Sequence, residues 1–244
     1  MLPTDLLTKT IRLRSAQVIG RDHLLREVNC QDSHALVQTD DFIAGVVCDG
    51  CGEGQYSEVG ATLGAKFIIT QIINLLDEGA LVQEIPDLLY PRIVDYLSQL
   101  TELSQPMNRT AFVQHHLLFT IVGVIVADGR TVIFSAGDGL FIIDKVRQRI
   151  EQDNKPQYIA YHLLADSLKS GVTLPDKFDI QYAKGWQKLA VATDGFDETL
   201  SADIWGMEHP RALQRRLNVW SSQEKRFADD TALITLERLI EHAE

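Results

Sequence analysis

The sequence contains little cysteine and no long hydrophobic run, and each absence excludes a class of protein. Three cysteines, Cys30, Cys48 and Cys51, occur in 244 residues, which is too few for a disulfide framework. We therefore expect a reducing, cytoplasmic environment. No uninterrupted apolar run reaches the length of a transmembrane helix. The opening residues, MLPTDLLTKTIRLR, lack the apolar core of a signal peptide.

Positive charge is also scarce. The chain has 23 Lys and Arg residues against 34 Asp and Glu residues, which gives a net charge of −11. Such an acidic surface repels phosphate backbones and anionic lipid headgroups, so we expect neither nucleic acid nor membrane as a partner. The oligomeric state is left open, with a monomer favoured.

Internal repeats, low-complexity tracts and linkers rich in Pro, Gly or Ser are absent from the sequence. We therefore expect residues 1–244 to form a single domain. Hydrophobic residues make up 45% of the chain and charged residues 23%, which is typical of a globular protein with a substantial core.

The spacing of apolar residues predicts an α+β fold. Predicted strands cover 11–20, 34–38, 42–48, 117–127, 131–136, 140–146, 158–163, 178–182, 189–193 and 231–236. Predicted helices cover 57–76, 86–103, 210–219 and 237–242, with another beginning at Asp197. Two successive helices between groups of strands favour antiparallel sheets with segregated helices over βαβ units.

Aspartates recur at the ends of the predicted strands. They are Asp49-Gly50, Asp128-Gly129, Asp138-Gly139, Asp194-Gly195 and Asp229-Asp230. Asp-Gly is also the preferred two-residue hairpin turn. We interpret Asp128-Gly129 as such a turn because strands lie on both sides of it, and Asp138-Gly139 is open to both interpretations.

Asp49 and Asp194 differ from a hairpin turn because predicted helices follow them. Carboxylates from several strand ends can form one acidic pocket, which is electrostatically unfavourable unless cations fill it. Oxygen ligands favour hard ions, so this pattern indicates Mg²⁺ or Mn²⁺ and not zinc.

Three other motifs are weaker. G-C-G-E-G at 50–54 lacks the spacing and the following parallel strand of a dinucleotide site. Cys48 and Cys51 have C-x-x-C spacing but no second pair, so structural cysteines are favoured over redox chemistry or zinc binding. There is no G-x-S-x-G motif for a serine hydrolase, and Ser57 is predicted as a helix N-cap.

Five ordered blocks carry a resemblance to a known family. They are N-C-Q-D-S at 29–33, V-C-D-G-C-G at 47–52, S-A-G-D-G at 135–139, A-T-D-G at 192–195 and A-D-D-T at 228–231. In this order they resemble the metal-dependent protein serine/threonine phosphatases of type 2C, over about residues 18–236. The variant DGCGEGQYSE resembles a bacterial branch. The resemblance implies a four-layer α-β-β-α sandwich with two central antiparallel sheets.

The resemblance also implies a site that holds two Mn²⁺ or Mg²⁺ ions about 4 Å apart. Asp49 would bridge both ions, the Gly50 carbonyl would bind one of them, and Asp194 and Asp229 would complete the other. Asp32 would hold metal-bound water, which makes Asp32, Asp49 and Asp194 the implied catalytic residues. Asp138 matches an aspartate that helps to hold a third, weaker ion in bacterial members.

The activity implied by the resemblance is hydrolysis of phosphomonoesters on serine or threonine of a phosphorylated protein, in signal transduction. A hydroxide that bridges the metals would attack phosphorus directly. The alternative is a catalytically silent domain of the same fold that binds a phosphoprotein or a regulatory partner.

Three departures from the family pattern affect the implied site. Glu27 stands where members have an arginine that binds phosphate, and we expect Arg26 or His23 to take that role. Cys51 replaces the histidine that donates a proton to the leaving group. Gly139 replaces the serine of the family's G-D-S motif.

Overall fold

The computed structural model describes residues 7–104, 108–152, 156–165 and 174–239. The strands in this part of the chain are β1 (Ile11–Val18), β2 (Ser33–Gln38), β3 (Phe42–Cys48), β4 (Ile121–Ala127), β5 (Arg130–Ala136), β6 (Gly139–Ile143), β7 (Val146–Ile150), β8 (Asp179–Ala183), β9 (Lys188–Ala192) and β10 (Thr231–Arg238). The α-helices are α1 (Leu7–Thr10), α2 (Arg21–Arg26), α3 (Ser57–Asp77), α4 (Ile85–Leu103), α5 (Arg109–Phe112) and α6 (Ala212–Ser222). A π-helical turn covers Val113–Leu117, and 3₁₀ turns cover Ile159–Leu163 and Glu198–Ala202.

The strands form two five-stranded antiparallel sheets. Sheet A has the order β1-β10-β9-β6-β7, and sheet B has the order β2-β3-β4-β5-β8. Every described strand pairing is antiparallel. The α+β class predicted from the sequence is therefore confirmed.

Three buried clusters define four layers. The first lies between sheet B and the helices α3 and α4, and includes Val46, Ile68 and Ile93. The second lies between the two sheets, and the third lies between sheet A and α6. This is the α-β-β-α sandwich that the resemblance implies. In the described residues, the layer on sheet A contains one long helix, α6, beside the 3₁₀ turn Glu198–Ala202.

Helix α3 shows the apolar periodicity expected of a core helix. Its inward residues include Ala61, Ala65, Ile68, Ile72 and Leu75, all buried. By length and composition alone α3 could also cross a membrane, with a mean hydropathy of 1.5 over its window. The burial of this face against sheet B accounts for that hydropathy.

Several predicted elements are wrong or misplaced. The segment predicted as a strand at 158–163 is largely a 3₁₀ turn, and the strand predicted to start at 117 begins at 121, after the π-helical turn. The strand predicted at 140–146 is divided between β6 and β7, because Asp144 adopts a left-handed φ of 54° and turns the chain.

The ends of two further helices also differ from prediction. Glu237 and Arg238, predicted as the start of a polar helix, belong to β10 and pair with β1. The rest of that predicted helix, apart from Leu239, lies outside the described residues. Ser57 is the first residue of α3, and its N-cap position is occupied by Tyr56.

Two Asp-Gly pairs illustrate how the turns place the site. Asp128 and Gly129 have φ values of 51° and 69° and join β4 to β5 as a tight hairpin, as predicted. Asp138 instead lies where the chain passes from β5 in sheet B to β6 in sheet A. It therefore sits at the edge of the sandwich where the two sheets meet.

Candidate metal centre

Aspartates from both sheets converge in one cleft of about 210 Å³ at this edge of the sandwich. They are Asp32, Asp49, Asp138, Asp194, Asp229 and Asp230. Each lies next to the end of a strand, so the antiparallel pairing of two sheets brings together residues that are far apart in sequence. All five aspartates implied by the resemblance are in this set.

Backbone contacts hold the Asp49-Gly50 segment at the end of β3. The Asp49 carbonyl accepts a hydrogen bond from the Thr120 amide at 2.8 Å, and the Gly50 amide donates to the Gln31 carbonyl at 3.2 Å. A Cβ atom on Gly50 would lie 2.7 Å from that same carbonyl oxygen. The segment therefore packs directly against the chain that carries Asp32.

Asp32 is buried and bonded to the other sheet. The residue is 2% exposed, and its Oδ2 accepts a hydrogen bond from the Thr193 hydroxyl at 2.6 Å. Thr193 Oγ1 in turn accepts the Ala232 amide at 2.9 Å. This chain of contacts fixes the carboxylate of sheet B relative to β9 and β10 of sheet A.

The Asp230 carboxylate bonds to neighbouring residues, whereas Asp229 faces the cleft. The Asp230 carboxylate accepts the Gly20 amide at 2.6 Å and the Gln31 amide at 2.5 Å, and lies 2.8 Å from His23 Nδ1. Asp229 is exposed and lines the cleft. This difference supports the assignment of Asp229, and not Asp230, as the available ligand of the A-D-D-T block.

Burial and mutual repulsion make the charged form of the cleft carboxylates unfavourable. Burial raises the pKa of Asp49 well above its usual value, and the charges of Asp32 and Asp194 raise it further. Burial likewise raises the pKa of Asp32. Burial and the charge of Asp194 raise the pKa of Asp138 to about 6. Carboxylates in such a cluster repel one another unless cations bind between them.

The donor set fits a hard divalent ion. The carboxylate groups supply oxygen atoms only, which is the ligand type that Mg²⁺ and Mn²⁺ prefer. His23, Asp229 and Asp230 also place potential ligand atoms within 4.8 Å of one another. In that group, however, His23 and Asp230 already bond to each other, so we favour the surrounding aspartates as ligands.

The two residues predicted to bind phosphate are placed differently. His23 is buried, lines the cleft and is held by Asp230. Arg26 is exposed at the end of α2 and is not among the residues that line the cleft. Glu27, at the family's arginine position, caps α2 with a left-handed φ of 55°. The geometry therefore favours His23 over Arg26.

Three residues near the cleft were missed by sequence reasoning. Thr193 binds Asp32, as described above. Tyr158 lines the cleft together with Cys51, and burial raises the pKa of the phenol, which stays protonated. Arg149 donates from Nη1 to the Asp194 carbonyl at 3.1 Å. Each contact joins distant parts of the chain, so no local motif signals it.

A sandwich of two antiparallel sheets between helices, with an acidic cleft at one edge, defines a class of proteins suited to binding divalent metals. The sequence pattern of the family described as Protein phosphatase 2C matches residues 19–233. The chain belongs to this family.

Solved structures share the fold at low sequence identity. A bacterial serine phosphatase aligns with a TM-score of 0.62 at 15% identity, over 96% of this chain and 100% of that one. The serine/threonine phosphatase Stp1 from Staphylococcus aureus aligns with a TM-score of 0.60 at 14% identity, over 94% and 95% of the two chains.

A third structure was solved with metal. It is the catalytic domain of the serine/threonine protein phosphatase PstP in complex with two manganese ions. This structure aligns with a TM-score of 0.56 at 13% identity, over 95% of this chain and 99% of that one. No curated protein sequence matches the chain. At these identities the likeness to solved structures establishes the fold.

Proposed function

We propose that this protein is a Mn²⁺- or Mg²⁺-dependent phosphatase that hydrolyses phosphoserine or phosphothreonine in proteins. The observation that carries the proposal is the convergence of the five family-pattern aspartates in one cleft. Membership of the Protein phosphatase 2C family and the serine/threonine phosphatases among the structural neighbours support the substrate class. We place the activity in cytoplasmic signal transduction.

In this proposal each sheet supplies part of the metal centre. Asp49 and the Gly50 carbonyl would come from sheet B, and Asp194 and Asp229 from sheet A, with Asp138 available to a third, weaker ion. Asp32 would hold water at the centre. When bound, such ions lower the pKa of water and stabilise negative charge on a transferring phosphoryl group.

The chain's own residues would orient the reactants. Thr193 donates to Oδ2 of Asp32 and so orients the carboxylate that would hold water. Asp230 bonds to Nδ1 of His23, so Nε2 is the ring nitrogen that would contact a substrate oxygen. Tyr158, which stays protonated, supplies a hydroxyl donor at the cleft wall next to Cys51.

Hydrolysis of p-nitrophenyl phosphate tests the proposal. We expect turnover with millimolar Mn²⁺, none with excess EDTA, and a loss of at least about 100-fold in kcat for Asp194→Asn. The matched control is Asp128→Asn, which makes the same change in an exposed Asp-Gly turn between strands. This variant keeps wild-type turnover, because Asn also tolerates a left-handed φ.

The same assay separates the proposal from its alternative. Absence of turnover by the folded wild-type protein with any divalent ion would contradict the proposed phosphatase activity. It favours the catalytically silent domain that binds a phosphoprotein or regulatory partner. Equal turnover by Asp194→Asn and the wild type would also contradict the proposed centre.

A further inference from the structure

One face of sheet A carries a row of cations that begins at the acidic cleft. Arg149 and Arg147 pair with Leu140 and Ile142 across the β6–β7 ladder. Leu140 and Ile142 lie in the cluster under α6, so the two arginines extend on that same side of the sheet. Alternate residues of a strand share one face and lie about 7 Å apart.

The row continues away from the cleft as a groove of about 540 Å³. Lys145, Arg147 and Lys188 line this groove, with Trp205 at one wall. Lys188 Nζ lies 5.5 Å from the centre of the Trp205 ring. We call Lys145, Arg147, Arg149 and Lys188 the basic strip.

Arg149 connects the basic strip to the metal centre. Its Nη1 donates to the Asp194 carbonyl at 3.1 Å, and its Nε donates to Glu198 at 2.8 Å. Arg149 therefore contacts the segment that carries Asp194 and shares a sheet face with Arg147 of the groove. The basic strip thus begins beside the acidic cleft and carries charge of the opposite sign.

Three acidic groups beside the strip, Asp144, Glu198 and Glu237, already have partners, and Asp144 also lines the groove. The Asp144 carboxylate accepts the amides of Gln187 and Lys188, both at 2.9 Å. Glu198 pairs with Arg149, and Glu237 Oε1 lies 3.9 Å from Lys188 Nζ. Within the described part of the chain, Lys145 and Arg147 form no ion pair. These two cations are exposed in a protein whose net charge is −11.

We propose that the basic strip binds an acidic segment of the phosphoprotein substrate next to the phosphorylated residue. The inference rests on the proposed function and narrows its substrate class to phosphorylated sites with acidic neighbours. Charge complementarity carries the argument, since an acidic segment gains ion pairs with Lys145 and Arg147 while its phosphate lies in the cleft. Surface pairs of this kind change affinity by about 2- to 5-fold each.

Phosphoserine peptides of matched length test the proposal. They carry four Glu, four Gln or four Lys residues, placed either before or after the phosphoserine, so that either binding direction is sampled. For one of the two placements, before or after the phosphoserine, we expect the Glu peptide to have a KM at least about fivefold below that of the Gln peptide, with kcat unchanged. The Lys peptide is expected to have the highest KM. Added salt should reduce these differences.

The variant Arg147→Glu should remove the preference for the Glu peptide and leave kinetics on p-nitrophenyl phosphate unchanged, because that substrate has no flanking segment. The matched control is Lys66→Glu, which changes an exposed residue of α3 in the opposite outer layer. Equal KM values for the three peptides on both sides would overturn the proposal. So would equal effects of Arg147→Glu and Lys66→Glu, which would indicate net charge alone.

Failure of the proposed function remains distinguishable from failure of this inference. If p-nitrophenyl phosphate is turned over but peptide charge has no effect, the proposed binding by the basic strip is overturned. The proposed phosphatase activity is then still supported. If no substrate turns over, binding of fluorescently labelled peptides, measured by anisotropy, tests the basic strip instead. Tighter binding of the Glu peptide by the wild type than by Arg147→Glu supports the strip, and equal binding overturns it.

Discussion

Thr193 shows how one side chain connects the two halves of the cleft. Its hydroxyl donates to Asp32 and accepts the Ala232 amide, and all three residues are buried. Asp32 and Thr193 are 161 residues apart. The aspartates were predictable because each belongs to a short sequence block. The Thr193 contact was not, because only the packing of the two sheets brings it about.

Thr193→Val should therefore weaken both the fold and the site. The valine methyl leaves the buried Asp32 carboxylate and Ala232 amide without their partner, which costs about 1–3 kcal/mol of the free energy of unfolding. Metal-dependent turnover should fall as well, because Asp32 loses its orientation. Urea unfolding and p-nitrophenyl phosphate kinetics measure the two effects.

Thr193→Ser is the control for this change, since it keeps the hydroxyl at nearly the same position. It should lie much closer to the wild type than Thr193→Val in both measurements. Equal behaviour of the two variants would show that the hydroxyl contributes nothing beyond the volume of the side chain.

At the scale of elements, the site depends on how closely the strand-end segments approach one another. A Cβ atom on Gly195 would lie 2.0 Å from the Asp230 carbonyl oxygen. The turn after β9 therefore packs directly against the segment that precedes β10. This approach places Asp194 and Asp229 beside each other in the cleft.

Gly195→Ala should separate these two segments. Because the added methyl meets backbone, which cannot rotate away, we expect a loss of at least about 2 kcal/mol in the free energy of unfolding. The control is Gly52→Ala, where the nearest heavy atom to the new Cβ would be Gln31 Oε1 at 4.0 Å. Thermal unfolding compares them, and an equal melting temperature for both variants would contradict the close approach.

The elements also show where sequence prediction succeeds. Helices α3 and α4 and strands β2, β3 and β9 fall close to their predicted bounds, because each is a strongly periodic or continuously apolar run. The division of 140–146 was missed, because only the left-handed φ of Asp144 reveals it. The segment at 159–163 is apolar and aromatic like a strand, yet it packs as a 3₁₀ turn through long-range contacts.

At the scale of the whole molecule, the acidic cleft couples stability to pH. Burial raises the pKa of Asp138 to about 6 from a reference value of 3.8. Between these values the folded protein holds a proton that the unfolded chain has lost. Stability therefore falls as pH rises through this window. His34 acts in the opposite direction, because burial lowers its pKa and the folded state disfavours its charged form.

The variant Asp138→Asn isolates this contribution, because the effect of His34 is common to both proteins. In metal-free buffer, the stability of the variant relative to the wild type should increase by about 1–2 kcal/mol between about pH 4 and pH 7 and then level off. Thermal unfolding in EDTA measures this difference. A difference that does not change with pH would contradict the raised pKa of Asp138.

We propose that the two sheets together form one site for divalent ions. Titration calorimetry with Mn²⁺ tests it most directly on the wild type, Asp49→Asn from sheet B, Asp194→Asn from sheet A, and the turn variant Asp128→Asn. We predict about two ions for the wild type and for Asp128→Asn, and the loss of at least one ion in each of the other two variants. Absence of saturable binding to the wild type, or equal binding by all four proteins, would contradict the account.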